Sequence, residues 1–137
     1  MKLKSLLFVC LFSMLSSVFA DSRHVHPKAD AGENKSAAVK NAFLPGYCEI
    51  EIANYSERNV TVYGTFDDNS TMTPFNIYSG ETPHYISLYY YGYCHASMWL
   101  DIYTFRGQRV YAGYTGPGQT VTIYDLLGNA KSSVKTK

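Results

Sequence analysis

The sequence predicts an all-β protein: a small antiparallel β-sandwich of about seven strands, Ig-like in size, with a partly open barrel as the alternative closure. Three observations lead there. Apolar and polar residues alternate with period two through the middle of the chain. Clusters of turn residues interrupt that alternation about every dozen residues. Outside the N-terminal apolar run, no segment sustains the roughly 3.6-residue period of an amphipathic helix.

The first twenty residues, MKLKSLLFVCLFSMLSSVFA, read as a secretory signal. Lys2 and Lys4 form a basic start, Leu6 to Val18 is mostly apolar, and Val18-Phe19-Ala20 has the small-residue pattern of a cleavage site. The apolar run is too short and too rich in serine to serve as a membrane anchor. Cys10 leaves with it. No later apolar run is long enough to cross a membrane, so no transmembrane segment is expected in the mature chain.

Residues 21–45, DSRHVHPKADAGENKSAAVKNAFLP, are rich in Ala, Lys, Ser and Asn and poor in bulky apolar side chains. They read as a flexible leader, because they bury too little to offset the entropy of ordering. Residues 128–137, GNAKSSVKTK, read as a disordered basic tail. The β-sandwich is assigned to residues 46–127.

Seven strands are expected within it, near 48–53, 59–66, 72–78, 84–91, 97–105, 109–114 and 119–126. The first two show the logic. Ile50 and Ile52 share one face opposite Glu49 and Glu51, and Val60 and Val62 share a face opposite Thr61 and Tyr63. Turns are expected at Asn54 to Arg58, Asp67 to Ser70, Ser79 to Pro83, Arg106 to Gln108 and Thr115 to Gly118. Parity constrains the hairpin at Arg106-Gly107-Gln108. If Met98, Leu100 and Ile102 face the core together with Val110, Ala112 and Tyr114, an odd-length loop must pair Tyr103 with Tyr111 and Ile102 with Ala112, or a bulge must intervene at Gly107.

The chain has 13 tyrosines, and five of them lie in HYISLYYYGYCH, residues 84–95. Ile86, Leu88 and Tyr90 share one face and are assigned to the core, so Tyr85, Tyr89 and Tyr91 point outward. Trp99, Tyr103, Phe105 and Tyr111 occupy the same parity on the next two strands. If these strands are neighbours, seven aromatic side chains line one outer face, with Asp101 and Arg109 among them. An exposed surface of that kind marks a contact site. Tyr85, Tyr89, Tyr91, Trp99, Tyr103, Phe105, Arg109 and Tyr111 are therefore the candidate binding residues. Two readings compete: cross-strand packing or a covered second layer, since tyrosine favours strands, and a self-association surface.

Cys48 and Cys94 remain after cleavage, and an even pair in an exported domain reads as a disulfide. It would close a loop of 47 residues. A Cys94-His95 nucleophile pair is disfavoured, because adjacent strand residues point to opposite faces. A zinc site from Cys48, Cys94, His84 and His95 lacks the usual ligand spacing. His24 and His26 form HVH in the leader and read as solvated, and cleavage after Ala20 leaves His24 one place too late for an N-terminal copper site. Asp67-Asp68-Asn69-Ser70 reads as a hairpin turn rather than a calcium loop. No catalytic motif appears, and no cofactor or metal is expected. Sequons at Asn34, Asn54, Asn59 and Asn69 are left unassigned.

Charge narrows the partners. Residues 46–127 carry eight acids against three arginines and no lysine, a net charge of −5 with His neutral. That argues against nucleic acid, which needs a basic patch. The expectation is a secreted or periplasmic, non-catalytic protein that contacts a protein or carbohydrate surface. The alternatives are a small enzyme using His84 or His95 with an acidic residue, and a structural subunit of a surface assembly.

Overall fold

The computed structural model describes residues 23–29 and 48–137. The signal, the rest of the leader and its join to the domain lie outside the described residues. The chain folds as the expected all-β sandwich. Among the described residues eleven strands run in order: β1 His24–His26, β2 Glu49–Asn54, β3 Val60–Thr65, β4 Phe75–Ile77, β5 His84–Ser87, β6 Tyr89–Tyr90, β7 Tyr93–Cys94, β8 Met98–Thr104, β9 Arg109–Thr115, β10 Gln119–Leu126 and β11 Asn129–Thr136. One sheet has the order β1-β5-β2-β10-β11, the other β4-β3-β8-β9, and β6-β7 is a separate ribbon. Neither main sheet closes into a barrel. The small sheet is wholly antiparallel, whereas the five-stranded sheet contains two parallel pairs, β1 with β5 and β2 with β10. No helix among the described residues is long and apolar enough to cross a membrane.

On β2, β3, β5 and β8 the even-numbered positions build the core as alternation requires, joined by the odd-numbered Ile77 of β4 and Val121 and Ile123 of β10. Ile50, Ile52, Ile86 and Leu88 from one side meet Val60, Val62, Leu100 and Ile102 from the other, all fully buried. At one edge the sheets are linked by Ser132, whose hydroxyl donates to the Val110 carbonyl at 2.6 Å, and by Gln108, whose amide donates to the Ala130 carbonyl. The Cys48–Cys94 disulfide is formed, with Cα atoms 5.5 Å apart, and ties the start of β2 to the β6–β7 ribbon. It rules out a zinc site or a nucleophile built on these thiols. Such a bond fits an oxidising, extracellular-type environment.

Several expectations need correction. Residues 128–137 are not a disordered tail. β11 pairs along the whole of β10, from Leu126↔Asn129 to Gln119↔Thr136, through a two-residue turn. Leu127 and Gly128 both have positive φ, 51° and 79°, the geometry that matches hairpin twist. The polar, lysine-bearing sequence is that of a protected edge strand, which resembles a tail in composition alone. Residues 23–29, expected to belong to a flexible leader, dock on the domain through β1.

Expected strand four, 84–91, breaks at Leu88, whose N–H donates to the Cys48 carbonyl while its carbonyl accepts from His95 N–H. In the β8–β9 hairpin the odd loop is present, but Tyr103 pairs with Arg109 and Ile102 with Tyr111, leaving Val110 as the extra residue of a bulge. The bulge reverses the parity of β9. Tyr111 turns toward the core and bonds Thr115 Oγ1 at 2.8 Å, while Tyr114, expected inside, lies outside and is 74% exposed. Gly113 makes room for this, because a Cβ there would come within 3.2 Å of the Tyr111 hydroxyl.

Candidate functional site

The seven-aromatic wall does not exist as one surface. Tyr85 lies in the five-stranded sheet and Tyr89 and Tyr91 in or beside the ribbon, whereas Trp99 and Tyr103 lie in the four-stranded sheet. The premise that these strands are neighbours fails: β5 pairs with β1 and β2, and β8 with β3 and β9. Ile86, Leu88 and Tyr90 are buried; of the three tyrosines expected outside, Tyr91 is exposed, Tyr85 is half-buried, and Tyr89 is half-buried and packs against the core.

What remains is a face on the four-stranded sheet. Period two sends Thr61, Tyr63, Trp99, Asp101 and Tyr103 to its outer side. Tyr63 meets Tyr103 edge-on with centroids 6.0 Å apart, and Trp99 meets Tyr114 in the same manner at 5.0 Å. Asp101 sits between the rings and is held from two sides: Trp99 Nε1–H donates to it at 2.7 Å and Arg109 Nε–H at 2.8 Å. The Arg109 guanidinium also lies over the Tyr103 ring, 5.9 Å from its centroid. Phe105 continues the row at the hairpin end and packs edge-on against Tyr78 at 6.2 Å. A shallow groove of about 670 Å³ runs between Thr61, Tyr63, Asn76, Tyr103 and Phe105. Thr61 Oγ1 donates to Asn76 Oδ1 at 2.9 Å along its floor. Tyr63, Tyr78, Phe105 and Tyr114 on this face are exposed, and Trp99 and Tyr103 are half-buried.

Of the candidate residues, Trp99, Tyr103, Phe105 and Arg109 are thus brought together, and Tyr111 is withdrawn. Tyr63, Tyr78 and Tyr114 belong to the face and were missed. The parity of Tyr63 was readable in its strand, but the β3–β8 adjacency that places it beside Tyr103 was not.

The tyrosines of residues 84–95 do other work. The Arg23 guanidinium lies over the Tyr85 ring at 4.0 Å and bonds Glu49 at 2.8 Å, so the docked leader covers this phenol. Lys28 is 4% exposed, and its ammonium pairs with Asp68 at 2.8 Å. It also faces the rings of Tyr91, Tyr90 and Phe66 at 4.8, 5.1 and 5.7 Å. The bond to Asp68, opposed by burial, holds the ammonium pKa above its ordinary value. The Tyr91-Gly92 turn has positive φ at both residues, a strained choice for a tyrosine, and it places the Tyr91 hydroxyl 3.3 Å from Lys28 Nζ. Lys28→Ala is expected to weaken docking of residues 23–29 by about 2 kcal/mol. Faster amide exchange at Val25 and His26, with little change in global melting, is the readout, and unaltered exchange would contradict it.

The two histidines proposed for an enzyme each have an acid. His95 Nδ1 lies 2.7 Å from Asp67 Oδ2, and His84 Nε2 lies 3.4 Å from Glu81 Oε1. His95 is stacked between Tyr90 and Tyr93, with centroids at 3.6 and 4.0 Å, and its Nε2 is buried. Asp67 also accepts from the Tyr90 hydroxyl at 2.6 Å, and these bonds, Tyr90 first and then His95, hold its pKa below the usual carboxylate value. A depressed carboxylate contributes stability above its unfolded pKa, about 3.9, and loses it as pH falls through the folded value. The melting temperature is therefore expected to drop below about pH 4, and Asp67→Asn should flatten that slope. The loop that carries Asp67 and Asp68 is the expected turn, with both carboxylates engaged in this way. Asn54 is buried and donates its amide to the Arg58 and Ile77 carbonyls, so its sequon is closed in the folded chain.

No family model and no curated protein matches the chain. Among solved structures it is similar to pneumolysin at 1.98 Å resolution, with TM-score 0.44 and 11% identity over 65% of this chain and 23% of that one. Wild-type pneumolysin gives 0.45 and 13% over the same shares. The membrane-binding domain of pneumolysin gives 0.40 and 11% over 65% of this chain and 96% of that one. This chain thus spans 23% of the length of the full pneumolysin structures, and likenesses this distant bear on neither ligand nor partner.

Proposed function

We propose that the protein is an exported, non-catalytic binding protein that engages a carbohydrate chain through the outer face of its four-stranded sheet. The observation that carries this reading is the solvent-facing row of exposed Tyr63 and Phe105 with half-buried Trp99 and Tyr103, interleaved with hydrogen-bonding groups already fixed in place, Asp101 and Asn76. Rings offer flat apolar area at low rotamer cost, and the fixed polar groups supply orientation. The groove volume lies within the range of small-ligand sites. The signal-like N-terminus and the disulfide support export.

A protein partner is the second reading. It is favoured by the exposed Leu126 and Leu127 at the β10–β11 tip, which borders a cavity shared with Phe105 and Arg106. A glycan array followed by calorimetric titration separates the two. Tyr103→Ala is expected to weaken glycan binding by about 1–3 kcal/mol, as anchor truncations do, while Tyr85→Ala leaves it unchanged. Equal losses in both variants would remove the four-stranded sheet from the account.

A further inference from the structure

The geometry points to a second site, independent of the aromatic face: His24, Glu81 and His84 form a binding site for a divalent transition metal, with Zn²⁺ the ion that suits the donor set. The sequence prepares it locally. In HVH, period two sends His24 and His26 to one side of β1. β1 lies parallel to β5 with His24 opposite His84, so two imidazoles from distant parts of the chain share one sheet edge. Glu81 comes from the turn before β5, where Tyr78 N–H donates to its Oε2 at 2.8 Å and fixes the carboxylate.

The other carboxylate oxygen faces both rings. Glu81 Oε1 is 3.4 Å from His84 Nε2 and 3.8 Å from His24 Nε2, and the three atoms lie within 4.8 Å of one another. Bonds of about 2.1 Å in a tetrahedral site separate neighbouring ligand atoms by about 3.4 Å. The arrangement is thus close to the required span. His24, with an exposed side chain, closes the remaining distance by swinging out of its stack on His84.

The independent sign of a ligand is His84 itself. The residue is 4% exposed, and its Nε2 is a buried polar atom with no hydrogen-bond partner. Its other nitrogen, Nδ1, lies 2.8 Å from His26 Nε2. With Nδ1–H donating to His26, the His84 Nε2 lone pair confronts a carboxylate oxygen, and a cation between them satisfies both. This is the usual second-partner arrangement of a ligating histidine, with an imidazole as acceptor. His26 is itself held by stacking on Phe75 at 3.5 Å. Two imidazoles and one carboxylate leave a fourth position open to water or an external ligand, and the absence of thiolate from the trio disfavours Cu(I). A bound ion would also clamp β1 to β5.

The test is calorimetric titration of Zn²⁺ into the metal-stripped mature protein, run beside a thermal melt. One ion per chain and a raised melting temperature are expected. His24→Gln and Glu81→Gln, which change partly exposed side chains and spare the core, should each weaken binding at least tenfold. His95→Gln should bind as the parent does. No zinc binding by the parent, or binding unchanged in both His24→Gln and Glu81→Gln, overturns the proposal.

Discussion

Replacing Cys48 and Cys94 together by alanine is expected to lower stability by about 2–5 kcal/mol, among the largest effects available in this chain. The bridge spans a sequence separation of 46 and restricts the unfolded ensemble, a term of about 4 kcal/mol for a loop of this size. It also has a local task. Cys48 is buried and left-handed, with φ 60°, and its carbonyl accepts from Leu88 N–H. Loss of the bond therefore loosens the entry to β2 and the ribbon that carries Tyr91. Urea denaturation measures the effect, and a change under about 1 kcal/mol would show that the bridge does not carry this load.

Leu88→Ala is expected to cost a further large amount, about 2–5 kcal/mol. Leu88 is fully buried among residues of both sheets, and its backbone links Cys48 to His95, so the surrounding structure has little freedom to collapse into the cavity. Tyr114→Ala, on the exposed face, loses only its edge-on contact with Trp99 and is expected to cost about 1 kcal/mol or less. Comparable losses at both positions would contradict the assignment of inner and outer faces.

That assignment was legible in the sequence wherever a strand is regular. Ile50 and Ile52, Val60 and Val62, Ile86 and Leu88 all declare their face by alternation, and the buried set follows it. The disulfide was legible from the cysteine count and the signal-like N-terminus. Two kinds of information were not. Strand adjacency is set by the global packing of two sheets, so the sequence neighbours 84–91 and 97–105 fall in different sheets and the supposed wall divides. Local irregularity was hidden too: a single extra residue, Val110, exchanges the faces of Tyr111 and Tyr114. Composition misled at both ends. The segments around HVH and AKSSVK are polar because they form sheet edges, and an edge strand needs few apolar residues to be held by its backbone bonds. The meeting of His24 with His84 required a parallel pairing across about sixty residues, which no spacing rule announces.

Trp99 offers the most direct test of the aromatic face, because it is the only tryptophan in the chain and lies in the row itself. The measurement is its emission and acrylamide quenching during titration with a glycan identified on the array. The account predicts a shift of the emission and protection from quenching that saturate with binding. A protein saturated with its glycan while Trp99 remains unshifted and equally quenched would contradict it.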